Sequence, residues 1–381
     1  MLTPSDIREI ENEISRIYSQ VETDLVRRIC QYLYRNDGEM DPEHWLARKL
    51  NGWGTLQNDL NRIVVRDMKA VDKKLRSLIT EVVEKNNTSD GKLLDAVKEY
   101  TDSLGTEATR NLMLELTPTQ PQLDRMRAIL KNARDGINLT NTRAIEASRK
   151  IMTDCCNKAF TAVFEGTDTL ENAVYKASRK LARNGITVAT YESGKEQTIS
   201  IDAAVRRNVV TTVSQATSKM SIENAQRAGL DLVRTSAHMG ARPSHYAWQG
   251  RVFSLSGTSD KYPALSAPQE MGGTGYGTAG GLCGCNCRHY FFPYVEGFEL
   301  SSYGLDDVTK EENAEVYEAT QQQRSFERQV RSWKRVKQNA LDQGQTADAA
   351  KAGAKVREYQ AKLRDVCEEY DLPRQYAREK V

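Results

Sequence analysis

Histidine is scarce in this chain, with 4 among 381 residues, and so are aromatics at 7% and proline at 9 residues. An excess of either charge is also missing: 54 Lys and Arg stand against 52 Asp and Glu, a formal net charge of +2. That balance excludes a bulk electrostatic argument for nucleic acid, so any such contact has to come from a local patch. No apolar stretch approaches bilayer length, and the N-terminal Met-Leu-Thr-Pro-Ser-Asp has no basic region followed by an apolar run. A soluble protein made in a cytoplasm, without membrane contact, is expected. The 7 cysteines are odd in number, and Cys30, Cys155, Cys156 and Cys367 fall in helical patterns, which argues against a secreted disulfide framework.

What is present is organised. With 28% charged and 39% hydrophobic residues the chain can bury a core, yet it is too long and polar for one globule, so two or three units are expected. Thr3-Pro4-Ser5-Asp6 offers an N-cap, a first-turn proline and an acid, which predicts a helix start. Ile7, Ile10, Ile14, Ile17 and Val21, then Leu25, Ile29 and Leu33, form a narrow apolar stripe. Its expected partner is Leu60, Val64, Met68, Val71, Leu75, Leu78 and Val82 on a helix over 56–83, with a short helix from Asp41-Pro42 to Leu50 between them.

A second helical block is expected from about Thr119 to Asn184, interrupted near Asp135-Gly136 and near Gly166. After Gly185, β-branched alternation over 186–191 and 197–201 predicts a hairpin turning at Glu192-Ser193-Gly194-Lys195. Asp202 is the expected cap of a long helix to Ala228, and Leu230 to Thr235 reads as a strand. Short strands are expected at 251–255 and 290–292 around a glycine-rich loop, 256–282. The glycines at 272–277 lack the Lys-Ser/Thr of a phosphate-binding loop. From Thr309 the chain returns to helix, and a last helix runs over 347–370, with a helical hairpin or coiled coil as the expectation. The fold class is therefore mainly α with a small α+β module: an N-terminal bundle (1–118), a helical plus α+β module (119–300) and C-terminal helices (301–381).

Three of the four histidines and three of the seven cysteines lie between His238 and His289. Imidazole and thiolate share one use that Ser or Gln cannot replace, the coordination of a soft to borderline metal such as zinc. One reading is a structural zinc site in which Cys283, Cys287 and His289 converge with His245 or His238 and pin the glycine-rich loop. The Cys-x-Cys-x-Cys-x-His spacing is no standard knuckle, and alternate residues would share one face of a strand. A second reading is ordinary packing, with Arg242 and Arg288 bonded to backbone carbonyls and the thiols free. A third is catalysis, through a Cys-His pair or an open zinc site. Further on, Arg324, Arg328, Arg331 and Arg335 share the helix face opposite Phe326, Val330, Trp333, Val336 and Ala340. That ridge is either a solvated face or a contact to phosphates or an acidic protein surface.

Several runs carry a resemblance: Ser236 to Ser254 with His238, Arg242-Pro-Ser-His245, Trp248 and Gly250; Gly275-Tyr-Gly277; Gly281 to His289 with Cys283, Asn286-Cys287-Arg288 and His289; and Tyr317 to Arg335. They resemble the phage minor capsid protein 2 family, related to the Mu F-like head morphogenesis proteins. Cys285 stands where that family usually has an aromatic. Within the motifs, Arg242, Trp248, Gly250, Asn286 and Arg288 are expected to structure the module. The resemblance implies a tailed-phage virion component, made in the host cytoplasm and held inside the head near the portal, aiding assembly or DNA packaging and ejection. The implied partners are portal, major capsid or scaffold proteins, with packaged double-stranded DNA as a further contact and no small-molecule substrate. A structural protein, not an enzyme, is the first expectation. A zinc-dependent hydrolase or nucleotidyl-modifying enzyme delivered with the genome is the alternative.

Overall fold

The computed structural model describes residues 4–35, 41–103, 119–192, 195–297 and 308–381. The expected N-cap Thr3 and the Ser193-Gly194 turn lie outside them, as do the side chains of Ile7, Ile10, Leu78 and Val82. The described elements are α1 (Pro4–Tyr34), α2 (Pro42–Asn51), α3 (Trp53–Ser103), α4 (Gln120–Phe164), α5 (Leu170–Asn184), β1 (Thr187–Glu192), β2 (Lys195–Ser200) and α6 (Ile201–Arg227). They continue through β3 (Leu232–Thr235), α7 (Pro243–Tyr246), β4 (Val252–Ser254), β5 (Phe291–Pro293), α8 (Lys310–Asp342) and α9 (Thr346–Glu369). The protein is mainly α with a small α+β module. Among the described residues no helix is long and apolar enough to cross a membrane, and none of the seven cysteines is in a disulfide.

The chain divides into two compact units, each drawn from three stretches: Met1–Glu11, Lys73–Asp135 and Arg207–Thr320 in the first, and Asn12–Asp72, Gly136–Arg206 and Gln321–Val381 in the second.

In the second unit, α1 and α3 bury their stripes together. Ile14, Val21, Leu25, Ile29 and Leu33 are buried, as are Leu60, Val64 and Val71. Across the pair, the Tyr18 hydroxyl donates to Met68 Sδ at 3.4 Å, Arg28 Nε to Asp59 at 3.0 Å and Arg66 to Asp24 at 2.7 Å. The stripe on α1 is broader than expected, because Ser15, Ser19, Glu22 and Thr23 are buried as well. A periodicity read from apolar residues alone misses polar residues that are buried beside the stripe. Helix α2 begins as expected, with the Asp41 carboxylate accepting from the backbone N–H of Glu43 and His44.

The expected break at Asp135-Gly136 does not occur, and α4 runs through it. One interior glycine costs about 1 kcal/mol, and the fully buried Ala133 and Ile137 beside it outweigh that. The break near Gly166 is present: α4 ends at Phe164, and Thr169 caps α5 by accepting from the Asn172 N–H. Gly185 closes α5 at φ 71°, and a Cβ there would meet Glu22 and Arg335, so both backbone and space require glycine. The hairpin pairs Thr187 with Ser200 and Tyr191 with Glu196. Helix α6 follows at once, which places Asp202 inside its first turn instead of at the cap. Helices α8 and α9 fold back as an antiparallel hairpin around Gly344 at φ 70°, with the Phe326 and Tyr359 rings 6.2 Å apart and Lys337 beside Gly353.

The first unit holds a three-stranded antiparallel sheet in the order β4-β3-β5. Val233 at its centre faces Phe253 on one side and Pro293 on the other. Beside the sheet, Val233, Trp248, Phe253, Leu265, Leu282, Cys283, Cys287 and Phe291 form one buried cluster.

Candidate functional site

The site grows from the end of β3. After Thr235 the chain passes His238, turns at Gly240 (φ 72°), and enters the one-turn helix α7 at Pro243, whose fixed φ suits a first helical position. This turn carries His245 into the interior at 2% exposure. Trp248 follows, buried, and Gly250 at φ 73° redirects the chain into β4. Arg234 Nε donates to Gly250 O at 2.9 Å and the Thr235 hydroxyl to Trp248 O at 2.8 Å, so this turn is fastened to the central strand.

The loop 256–282 has little regular structure but is tightly tied. The Asp231 carboxylate accepts from the Ser254 hydroxyl at 2.6 Å and from Ser256 N–H at 2.7 Å. The Thr274 hydroxyl donates to Leu265 O at 2.6 Å, and Ser254 bridges Ala264. At Gly273, Gly281 and Gly284 a Cβ would run into the backbone of Ala267, Gly275 and Ala279 respectively. Side chains are thus excluded where strands of the loop touch.

The loop delivers residues 283–289 through tight turns, with Cys283 at φ 58° and Asn286 at φ 56°. This departs from the extended segment that the alternating cysteines suggested, and the thiols accordingly diverge. Cys283 enters the apolar cluster, its Sγ 3.7 Å from His289 O. Cys285 is half buried. Cys287 turns inward to face two imidazoles, with its Sγ 3.8 Å from His245 Nδ1 and 3.7 Å from His289 Nδ1. The donor atoms of His245, Cys287 and His289 all lie within 4.8 Å of one another, and all three residues are buried. His238 is outside this trio: its ring stacks on that of His289 at 4.3 Å between centroids, and its Nδ1 lies 3.1 Å from Met239 O.

Hydrogen bonds fix the state of both imidazoles. His245 Nε2 lies 2.9 Å from Gly280 O, and a carbonyl only accepts, so the ring carries its proton on Nε2. His289 Nε2 lies 3.0 Å from Gln249 Oε1. That oxygen also accepts the backbone N–H of His238 at 3.2 Å, which orients the amide and again places the ring proton on Nε2. Both Nδ1 lone pairs therefore point toward one sulfur. Burial, aided by the Arg242 charge, lowers His245 to about 4 and His289 well below its ordinary value. Burial pushes the Cys287 thiol up to about 11. As it stands this is a neutral thiol between neutral imidazoles and not an activated thiolate.

Around the trio, Arg242 donates to Cys285 O at 3.1 Å, a backbone carbonyl as the packing reading supposed. Arg288 instead meets the buried Glu11 carboxylate at 2.9 Å. Trp248 lies against His245 at 4.7 Å and against His289 at 4.6 Å. Asn286 is exposed and takes the left-handed turn that asparagine tolerates. Two residues that sequence reasoning passed over complete the setting. Gln249 orients His289, and Asn313 on α8 bonds both backbone groups of Ala241 at 2.9 Å. Gln249 could have been found as the polar neighbour of Trp248 in the histidine-bearing run; Asn313 left no local signal.

The four arginines of α8 do not form one surface ridge. Arg328 is exposed and Arg324 half buried, whereas Arg331 and Arg335 are inside the second unit. Arg331 pairs with Asp202 at 3.1 Å and donates to Arg378 O at 2.7 Å. Arg335 reaches Glu22 at 3.3 Å and Ala182 O at 3.1 Å. The helical wheel assigned these residues to a face without revealing that α8 is buried on more than one side.

Among known proteins, the family model described as phage minor capsid protein 2 matches residues 2–368. The chain is similar to a structural protein of Lactococcus phage LL-H, 29% identical over 386 residues, covering 99% of this chain and 98% of that protein. It is also similar to a structural protein of Lactococcus phage mv4, 44% identical over 109 residues, covering 28% of this chain and 86% of that protein. No solved structure matches.

Proposed function

The chain belongs to the phage minor capsid protein 2 family, and from that membership we propose that it is a low-copy head component seated inside the capsid at the portal vertex, where it aids assembly and the passage of DNA. The observation that carries this reading is the match along nearly the whole length to a phage structural protein. The partners proposed are the portal protein and the neighbouring capsid or scaffold proteins. Protein is favoured over DNA as the principal contact because the net charge is only +2, and Arg331 and Arg335 spend their charge on buried acids. With two of its four charges internal, the α8 face cannot neutralise a row of phosphates. The genome-delivered enzyme is not favoured, since both relatives are named as structural proteins.

Quantitative mass spectrometry of purified phage heads tests the reading. The protein should be present in far fewer copies than the major capsid protein and should be lost from heads assembled without portal. Full incorporation into portal-less heads would overturn it.

A further inference from the structure

We propose that His245 Nδ1, His289 Nδ1 and Cys287 Sγ bind one zinc ion, as a clamp that closes the module between α7 and the turn before β5. The proton count argues first. Two imidazole lone pairs, fixed by the Nε2 hydrogen bonds to Gly280 O and Gln249 Oε1, converge on a sulfur that carries a single proton. One thiol can serve only one of them, so a buried acceptor is left over. Zinc displaces that proton and satisfies the thiolate and both nitrogens together.

Distances argue second. Bond lengths of about 2.3 Å to sulfur and 2.0–2.1 Å to nitrogen, at a tetrahedral angle, require a sulfur-to-nitrogen edge of about 3.6 Å. The two sulfur edges here are 3.8 Å and 3.7 Å, so each nitrogen stands near coordination spacing from the sulfur, and all three donor atoms lie within 4.8 Å of one another. The outer hydrogen bonds argue third, since a histidine that ligates through one nitrogen ordinarily donates its other N–H to a carbonyl or carboxylate oxygen. Both rings already do so. Zinc is chosen over copper, which also takes two imidazoles and a thiolate, because Cys283 and Cys285 are free thiols in the same turn. A redox-inert ion coexists with them, whereas Cu²⁺ oxidises thiols. The remaining vertex belongs to a ligand from outside the trio.

The proposal concerns the fold of the module and stands independently of where in the head the chain resides. Full-length protein purified without chelator should contain one zinc per chain. After stripping, Co²⁺ should restore the site with a charge-transfer band of one thiolate, retained in Cys285→Ser and lost in Cys287→Ser. Imidazole nitrogen NMR on the wild-type chain reads the same site without any variant: zinc should shift both Nδ1 resonances and leave both Nε2 protonated. Folded wild-type chain that takes up neither ion, copper in place of zinc after purification, or a thiolate band that survives Cys287→Ser would overturn the proposal.

Discussion

Arg331 on α8 meets Asp202 in the first turn of α6 at 3.1 Å, with the two side chains 5% and 2% exposed. An ion pair that deep is costly to break from one side, because the remaining charge stays buried without its partner. Asp202→Ala should therefore destabilise the second unit by about 3–5 kcal/mol, read from denaturant unfolding. Arg331→Met combined with Asp202→Leu should recover most of that loss.

The same pair sets an acid response. Burial alone would raise the Asp202 carboxyl, but the Arg331 and Arg206 charges prevail and hold it at about 2, below the roughly 3.9 of an unfolded aspartate. Its contribution is thus fully present above about pH 4 and is lost as pH falls toward 2. Unfolding free energies measured through that window should fall more steeply for wild type than for Asp202→Asn.

A second ion pair holds the cysteine-bearing turn. Arg288 is joined to Glu11, whose side chain is only 6% exposed. Arg288→Ala should cost about 1.5–3 kcal/mol, the range of a hydrogen bond to a charged group, and Glu11→Gln should cost less. Thermal unfolding of the two variants measures the difference. Equal losses would mean that the charge on Glu11 is immaterial.

Two neighbouring glycines in the loop should respond oppositely. A Cβ at Gly281 would collide with the backbone of Gly275, while one at Gly280 meets nothing within 4 Å. Gly281→Ala should destabilise by about 1–3 kcal/mol through overpacking and speed proteolysis within 256–282. Gly280→Ala should do neither.

The sequence made the helical frame legible where periodicity was strong. Ile14, Val21, Leu25, Ile29 and Leu33 on α1 and Leu60, Val64 and Val71 on α3 are buried as their spacing predicted, because a stripe at helical period has one efficient way to leave water. Arg331 and Arg335 were misjudged because the acids that neutralise them, Asp202 and Glu22, lie far away in sequence. The His/Cys cluster was visible from scarcity alone. Its sorting was not, since the left-handed turns at Cys283 and Asn286 decide which thiol faces His245, and alternation along the chain does not report them.

An asymmetric reconstruction of the intact phage head tests the proposed seat of this chain in the virion. Density for this mainly helical chain, with its two units, is expected on the interior side of the portal ring and in few copies. Density in the outer shell at the symmetry sites of the major capsid lattice, with none at the portal, would contradict it.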